Sequence, residues 1–448
     1  MPARGHTVVL GTAGSGKTTL AIHRAVYLAN PSTDHHGRTL LVTFNRCLVA
    51  YLEAMAGRLG QVEVRNYHKF ARGYLAHRGK MRWNSICNRD HMVAFCCLAV
   101  KAIKTTGVRN AILDRPTDFL VEEFRWLAQN GIHTLEEYVG ADRAGRAGTR
   151  VARKDRPVVF AIYEQYKVCR TSAGMDFDWD DLAHKVLSEF QTDPDGRYYR
   201  HVILDEGQDF SPMMIRSLAA AIPAEGSLTF FGDMAQQIYG NKISWRTAGL
   251  SIRDVWRFEE NYRNTKQIAK LALAMARMPF FKDIADLVEP KSPVADGALP
   301  ALVSFKSEAD EIRFVAERAQ KYAQTGTVAV LFRNREMEKT LPSLPSVQAT
   351  RLHGELSQWP SGPGLFYGTY HAAKGLEFDA VFLPYASNGR LPHPPDVAAF
   401  GYDDAAAHDA RLLYVGVTRA KSDLVLTHSG EVTPLLPTDR SLVQRSSR

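Results

Sequence analysis

The sequence predicts an α/β protein built on parallel sheets, and three observations predict it. An aliphatic run, Val8-Val9-Leu10, enters a glycine-rich loop that is followed by residues with helical apolar spacing. Similar β-rich runs recur downstream: "TLLVTF", "HVILDE", "SLTFFGD", "TVAVLF" and "DAVFLP", most of them ending at a polar or acidic motif. Strands that alternate with helical patterns favour parallel sheets. Between these runs lies a block, 76–195, whose apolar spacing is helical instead.

The first element carries the clearest chemistry. Gly11-Thr12-Ala13-Gly14-Ser15-Gly16-Lys17-Thr18 matches G-x4-G-K-[ST], and Leu20, Ala21, Ala25 and Leu28 continue it as a helix. That strand–loop–helix context is what a phosphate-binding loop requires. Its glycines let backbone N–H groups surround phosphate oxygens. The expected nucleotide contacts are Gly11, Ala13, Gly14, Ser15, Gly16, Lys17, Thr18 and Thr19. Lys17 would reach the β and γ phosphates, and Thr18 would ligate Mg²⁺.

The next informative strand is Val202-Ile203-Leu204, inside "HVILDEGQDF". Asp205 stands at its C-terminal end, where open α/β sheets bind ligands. It is the expected second metal-side group, and Glu206 is expected to orient an attacking water. An acidic pair beside a phosphate loop points to hydrolysis of a nucleoside triphosphate by water. What that hydrolysis drives is not legible from these two motifs.

Composition bounds the rest. The 448 residues leave room for about three domains. With 45% hydrophobic and 23% charged residues the chain is of ordinary globular type, which excludes global disorder. A net charge of +8 suits a polyanionic partner, and equally an arginine-rich chain without one. The cysteines are Cys47, Cys87, Cys96, Cys97 and Cys169, an odd set without a CxxC pair. They read as reduced intracellular thiols rather than disulfides or a zinc site. The apolar stretch around 93–100 is too short to cross a bilayer, and the N-terminus lacks a signal-peptide pattern. A cytoplasmic protein without a membrane partner is expected.

Further motifs narrow the class. They are "FFGDMAQQIYG" at 230–240, "ENYRN" at 260–264, "GTYHAAKGLEFDAVFLP" at 368–384 and "LLYVGVTRAK" at 412–421. With "LLVTFNRCLVAYL", "NYHKF" and "MDFDWDDLAHKVL", and in this order, the chain resembles the UvrD/Rep-like DNA helicases of superfamily 1, from residue 8 to about 427. The resemblance implies two RecA-like P-loop NTPase cores, ATP and Mg²⁺ as cofactors, and single-stranded or 3′-tailed DNA as partner. It implies an ATP hydrolase coupled to DNA translocation or unwinding with 3′→5′ polarity. Gln236 resembles the family's γ-phosphate sensor, and Arg263 and Arg419 its two arginine fingers. Tyr262 resembles the residue that stacks on adenine, and Glu377 the carboxylate near the ribose. Gly375 would let the backbone approach the phosphates. For DNA the resemblance points to Thr43, Phe44, Asn45, Tyr67, His68, Tyr239, Trp245, Thr369 and His371. There, rings stack on unpaired bases while hydroxyls and amides hold phosphates.

The same motifs order the domains. The first core is expected over 1–75 and 196–261, a helical accessory insertion over 76–195, and the second core over 262–448. Inside the insertion, Pro116 and Pro157 fall where helices start. The glycine–arginine stretch "ADRAGRAGTRVARKDRP" carries Arg143, Arg146, Arg150, Arg153, Lys154 and Arg156, a DNA-backbone contact or a solvated loop. The tail "DRSLVQRSSR" is expected to be disordered.

Two departures from the family pattern stand out. Ten residues precede Gly11 and none is glutamine, so the family's adenine-reading glutamine is missing there and adenine selectivity would rest on Tyr262. A short proline- and serine-rich linker, 335–365, takes the place of the family's second accessory domain, which is absent or minimal. This stripped form leaves a second reading open: a nucleotide-responsive regulatory ATPase acting with a nuclease or repair partner, as in antiphage systems of the Gabija type.

Overall fold

The computed structural model describes residues 1–56, 62–143, 151–233, 245–281, 293, 295–344, 347–353, 356 and 359–448. The first sheet contains β1 (Gly5–Gly11), β2 (Thr39–Thr43), β3 (Val62–Asn66), β4 (His201–Asp205), β5 (Ser227–Gly232) and β6 (Ile252–Phe258), in the order β3-β2-β4-β5-β1-β6. Every neighbouring pair is parallel. Strands β2, β4 and β5 are buried along their whole length, which is why they read as unbroken apolar runs.

The second sheet contains β7 (Ala301–Phe305), β8 (Thr327–Phe332), β9 (Thr350–Arg351), β10 (Gly364–Thr369), β11 (Phe378–Leu383), β12 (Ala420–Ser429) and β13 (Gln444–Ser447). Its order is β13-β7-β12-β11-β8-β10-β9, again wholly parallel. The expected class, two RecA-like α/β cores, is what the structure has. One hydrophobic cluster runs through both, from Val9, Leu41 and Leu48 to Phe366, Leu376 and Leu413.

Two expectations are corrected. The tail is not disordered: residues 444–447 add β13 to the sheet edge. The Gln444 amide donates to Pro300 O at 2.8 Å and the Arg448 amide to Ser304 O at 2.9 Å. Polar composition misled because an edge strand needs backbone partners more than apolar side chains. The insertion's own hydrophobic cluster runs only from Cys87 to Met175. The helix Asp181–Thr192 instead sends Leu182, Val186 and Phe190 into the first sheet's cluster.

The helices of the insertion are Arg89–Thr105, Thr117–Asn130, Leu135–Gly140 and Arg156–Ser172. Pro116 caps the second, and Pro157 lies in the first turn of the last. The arginine-rich stretch is partly structural. Arg143 pairs with the buried Glu123 at 2.5 Å, and Arg156 donates to the carbonyls of Tyr138, Val139 and Ala141 at 2.6–2.9 Å. These two guanidiniums are unavailable to a phosphate, while Arg146 and Arg150 lie outside the described residues. In the linker, β9 extends the second sheet and Trp359 stacks on Phe366 of β10, ring centroids 5.0 Å apart. Among the described residues no helix is long and apolar enough to cross a membrane.

Candidate nucleotide cleft and nucleic-acid face

Strand β1 delivers the phosphate loop and the helix Lys17–Ala29 leaves it. Gly14 and Gly16 both take φ +77°, a left-handed conformation that favours glycine. At Gly14 there is also no space for a Cβ, which would strike Asn261 and Arg263. The loop is thus pinned to the segment after β6, whose Tyr262 amide donates to Gly14 O at 2.9 Å. The Lys17 ammonium donates to Gly11 O at 3.0 Å, Thr12 O at 2.5 Å and Ser15 Oγ at 3.3 Å. Burial lowers its pKa, opposed by the charges of Asp233, Glu206 and Asp205.

A cavity of about 300 Å³ opens over this loop. Lys17, Thr18, Glu206, Arg263, Glu377 and Arg419 all line it. Asp205 ends β4 and Glu206 follows it, both buried. Glu206 sits at φ +54°, a strained position for a non-glycine residue and typical of functional sites. Asp205 Oδ1 accepts from Thr18 Oγ1 at 3.4 Å, while among the described residues its buried Oδ2 has no hydrogen-bond partner. Burial, and then the charge of Glu206, push the Asp205 carboxyl up. Burial acts upward on Glu206 too, but Lys374, Arg419, Lys17 and a hydrogen bond from Gln208 outweigh it and hold Glu206 below the usual carboxylate range. An unpartnered carboxylate oxygen beside a threonine hydroxyl is a fitting donor set for a hard divalent cation such as Mg²⁺.

Arg263, beside the loop, donates from Nε to Glu377 Oε2 at 2.7 Å, and Lys421 Nζ lies 3.2 Å from Glu377 Oε1. Arg419 is 1% exposed. Its Nε donates to Val415 O at 3.0 Å, Nη1 to Leu376 O at 3.1 Å and Nη2 to Thr418 Oγ1 at 3.1 Å. Burial, and then Arg263, lower Arg419 to about 10, so it stays charged at neutral pH. Asn264 joins the two arginine-bearing segments: it accepts from Asn261 Nδ2 at 2.9 Å and donates to Ala420 O at 2.5 Å. Tyr262 is 78% exposed at the rim. Gly375 lines the cavity, but its missing Cβ is what admits Leu48 of the first core. Gln236 lies outside the described residues.

Three residues escaped the sequence reading. Gln208 donates to Glu206 Oε2 at 2.6 Å and accepts the Asp233 amide at 2.9 Å, tying β4 to β5. Lys374 and Asp209 form a buried ion pair between the two cores at 2.5 Å. Asn45 Nδ2 joins it, donating to Ala372 O at 3.0 Å and Lys374 O at 2.6 Å. The signal was present, since "DEGQD" and "AAKG" both carry the residues, but nothing local says that they meet.

The residues expected to face DNA divide sharply. Phe44 and His68 are half-buried and line a second cavity of about 290 Å³, their rings 5.7 Å apart. Tyr67 and Thr43 are fully buried, and this corrects their assignment. The Tyr67 ring packs against Phe70 and Phe210 with its hydroxyl 2.6 Å from Ser217 Oγ, leaving no face for a base. Asn45 is committed to the other core, as above. Trp245 packs edge-on against Phe230 at 5.0 Å. Thr369 accepts the Ala372 amide at 3.3 Å. His371 lies 6.1 Å from His408, and burial with that neighbour pushes it down to about 3, keeping the imidazole neutral. Tyr239 lies outside the described residues.

Known proteins resemble the chain along most of its length. The family model for the UvrD/REP helicase N-terminal domain matches residues 1–262, and that for the UvrD-like helicase C-terminal domain matches 361–431. The ATP-dependent DNA helicase UvrD2 of Mycobacterium tuberculosis is 27% identical over 560 aligned positions, covering 95% of this chain and 76% of that protein. A probable DNA helicase of Mycoplasma pneumoniae is 23% identical, covering 94% and 80% respectively. The alignment to the mycobacterial protein is longer than the 448-residue chain, so that relative carries segments with no counterpart here.

Proposed function

The chain belongs to the UvrD/REP helicase family, and from that premise we propose that it is an ATP-hydrolysing motor that translocates on single-stranded DNA in the 3′→5′ direction and displaces a paired strand. The observation that carries the reading is one cavity holding Lys17, Thr18 and Glu206 together with Arg263 and Arg419. The loop amides and Lys17 would hold the ATP phosphates. Thr18 and Asp205 would hold Mg²⁺, which when bound neutralises phosphate charge. Glu206, kept ionised by Lys374, Arg419 and Lys17, would orient water toward the γ-phosphate. Two guanidiniums lining the same cavity would stabilise the charge of phosphoryl transfer. Tyr262, exposed at the rim, would offer its ring to the base. Because the phosphate loop belongs to the first core and Arg419 to the second, turnover would depend on how the two cores close on the nucleotide. The Asp209–Lys374–Asn45 contacts would carry that closure toward Phe44 on the neighbouring strand end.

Lys17→Ala is expected to abolish ATP turnover while leaving single-stranded DNA binding measurable. Normal turnover in that variant would sink the assignment. Polarity is read by displacement of a streptavidin block: a 3′→5′ motor clears a biotin from the 5′ end of an oligonucleotide and not from the 3′ end. The regulatory alternative makes a different demand on the same assays, with feeble turnover alone and strong turnover once a nuclease partner is added.

A further inference from the structure

The helix Arg46–Ala56 follows β2, and one face of it meets the second core. Asn45, just before the helix, donates to Ala372 O and Lys374 O. Leu48 occupies the space that Gly375 leaves open. Tyr51 comes three residues after Leu48, which places the two on the same side of the helix. From there Tyr51 lines the nucleotide cavity, together with Thr19 and Ile22 of the helix that follows the phosphate loop.

Two observations separate Tyr51 from a tyrosine that only packs. The first concerns its ring, which the linker holds. Trp359 meets it edge-on, centroids 5.3 Å apart, and itself lies on Phe366 of β10 at 5.0 Å with the planes 8° apart. The second concerns its hydroxyl, which has no hydrogen-bond partner among the described residues. Burial, and then the charge of Glu377, raise the pKa of that hydroxyl against the opposing charge of Arg263, so it stays a protonated donor. Glu377 and Arg263 both line the cavity. Neither Lys17 nor Asp205 is among the charges that act on it, so the hydroxyl stands nearer Glu377 than the phosphate end. A free donor at that place in a nucleotide cavity suits the sugar hydroxyls and ring nitrogens, the acceptors that remain once the phosphates are held.

We propose that Tyr51 is a nucleoside-contacting residue of this cavity, its hydroxyl donating to the sugar or base, and that Trp359 is the linker residue that positions it. The proposal rests on the reading of the cavity as the ATP site, and it brings the linker into substrate binding. The test is steady-state ATP hydrolysis by the full chain on saturating oligothymidylate, with inorganic tripolyphosphate as a competitor that has phosphates and no nucleoside. Tyr51→Phe keeps the ring against Trp359 and removes only the donor. It should raise KM for ATP roughly two- to tenfold, lower kcat far less, and leave inhibition by tripolyphosphate as in wild type. Trp359→Ala should shift KM in the same direction by about two- to fivefold, again without weakening tripolyphosphate, and Trp359→Phe should recover most of that shift. An unchanged KM in Tyr51→Phe overturns the contact, and so does an equal loss for ATP and tripolyphosphate, which would place the damage at the phosphate loop. An unchanged KM in Trp359→Ala overturns the positioning role. If wild type turns over no ATP, or if tripolyphosphate does not compete with it, the reading of the cavity as the ATP site itself fails, a distinct outcome.

Discussion

The nucleotide cleft and the nucleic-acid face rise from neighbouring strand ends of one sheet, yet residue type predicted them unequally well. In the cleft, Lys17, Thr18, Glu206, Arg263 and Arg419 converge on one cavity. On the face, Tyr67 and Thr43 sink into the core and Asn45 turns to the other core, while Phe44 and His68 stay half-buried. The difference is physical. A buried charge is tolerated only where partners or a ligand of opposite sign compensate it, so a motif's lysine or arginine has few places to go. An aromatic ring is as stable in a core as against a base, so its presence in a motif says little about which side it faces.

The largest effect that would break this comparison is at Arg419. Arg419→Ala should cut ATP turnover by about a hundredfold or more, with nucleotide binding less affected, as for removal of a donor that acts on developing charge. Arg419→Lys should not recover it, because one ammonium cannot span the contacts to Val415 O, Leu376 O and Thr418 Oγ1. Near-normal steady-state turnover in Arg419→Ala would make this residue a structural tie, no better predicted than Tyr67. Next comes the link between the two regions. Lys374→Met leaves Asp209 buried and unpaired, which should lower stability by about 3–5 kcal/mol in urea unfolding. Adding Asp209→Asn should return part of that loss. If it returns none, the two groups act separately and their pairing does not hold the cores together.

How much was legible follows the same division. Aliphatic runs marked β1, β2, β4, β5, β8 and β11, because parallel strands buried on both faces leave unbroken stretches, while β3, β6, β9 and β13 carried no such mark. Motifs with a glycine or a charge carried residues that line the cleft, Arg263 and Arg419 among them through the family resemblance. What stayed hidden was pairing across long separations: Lys374 with Asp209, Asn45 with the Ala372 and Lys374 carbonyls, Arg143 with Glu123. Each partner is an ordinary polar residue locally, and only the fold brings the two together. The tail was misread for a related reason, since β13 is held by backbone bonds to β7 that side-chain composition does not encode.

The smaller predictions sharpen the comparison within the face itself. Phe44→Ala removes a half-buried ring that lines a cavity, and it should weaken single-stranded DNA binding by about 1–3 kcal/mol in a fluorescence titration. Tyr67→Phe, one of the residues placed on the same face by sequence, should do the opposite. It removes only the hydroxyl bonded to Ser217, at about 1 kcal/mol of unfolding free energy. The ring keeps its packing against Phe70 and Phe210. DNA affinity should therefore not change, because no part of Tyr67 reaches the surface. The pair separates two causes that a single alanine at Tyr67 would confound, since emptying that site would disturb Phe210, whose ring meets Phe44 edge-on at 6.0 Å. A loss of DNA binding in Tyr67→Phe with stability intact would mean that the hydroxyl becomes exposed when the strand binds, and the face would then have to open rather than present a ready-made groove.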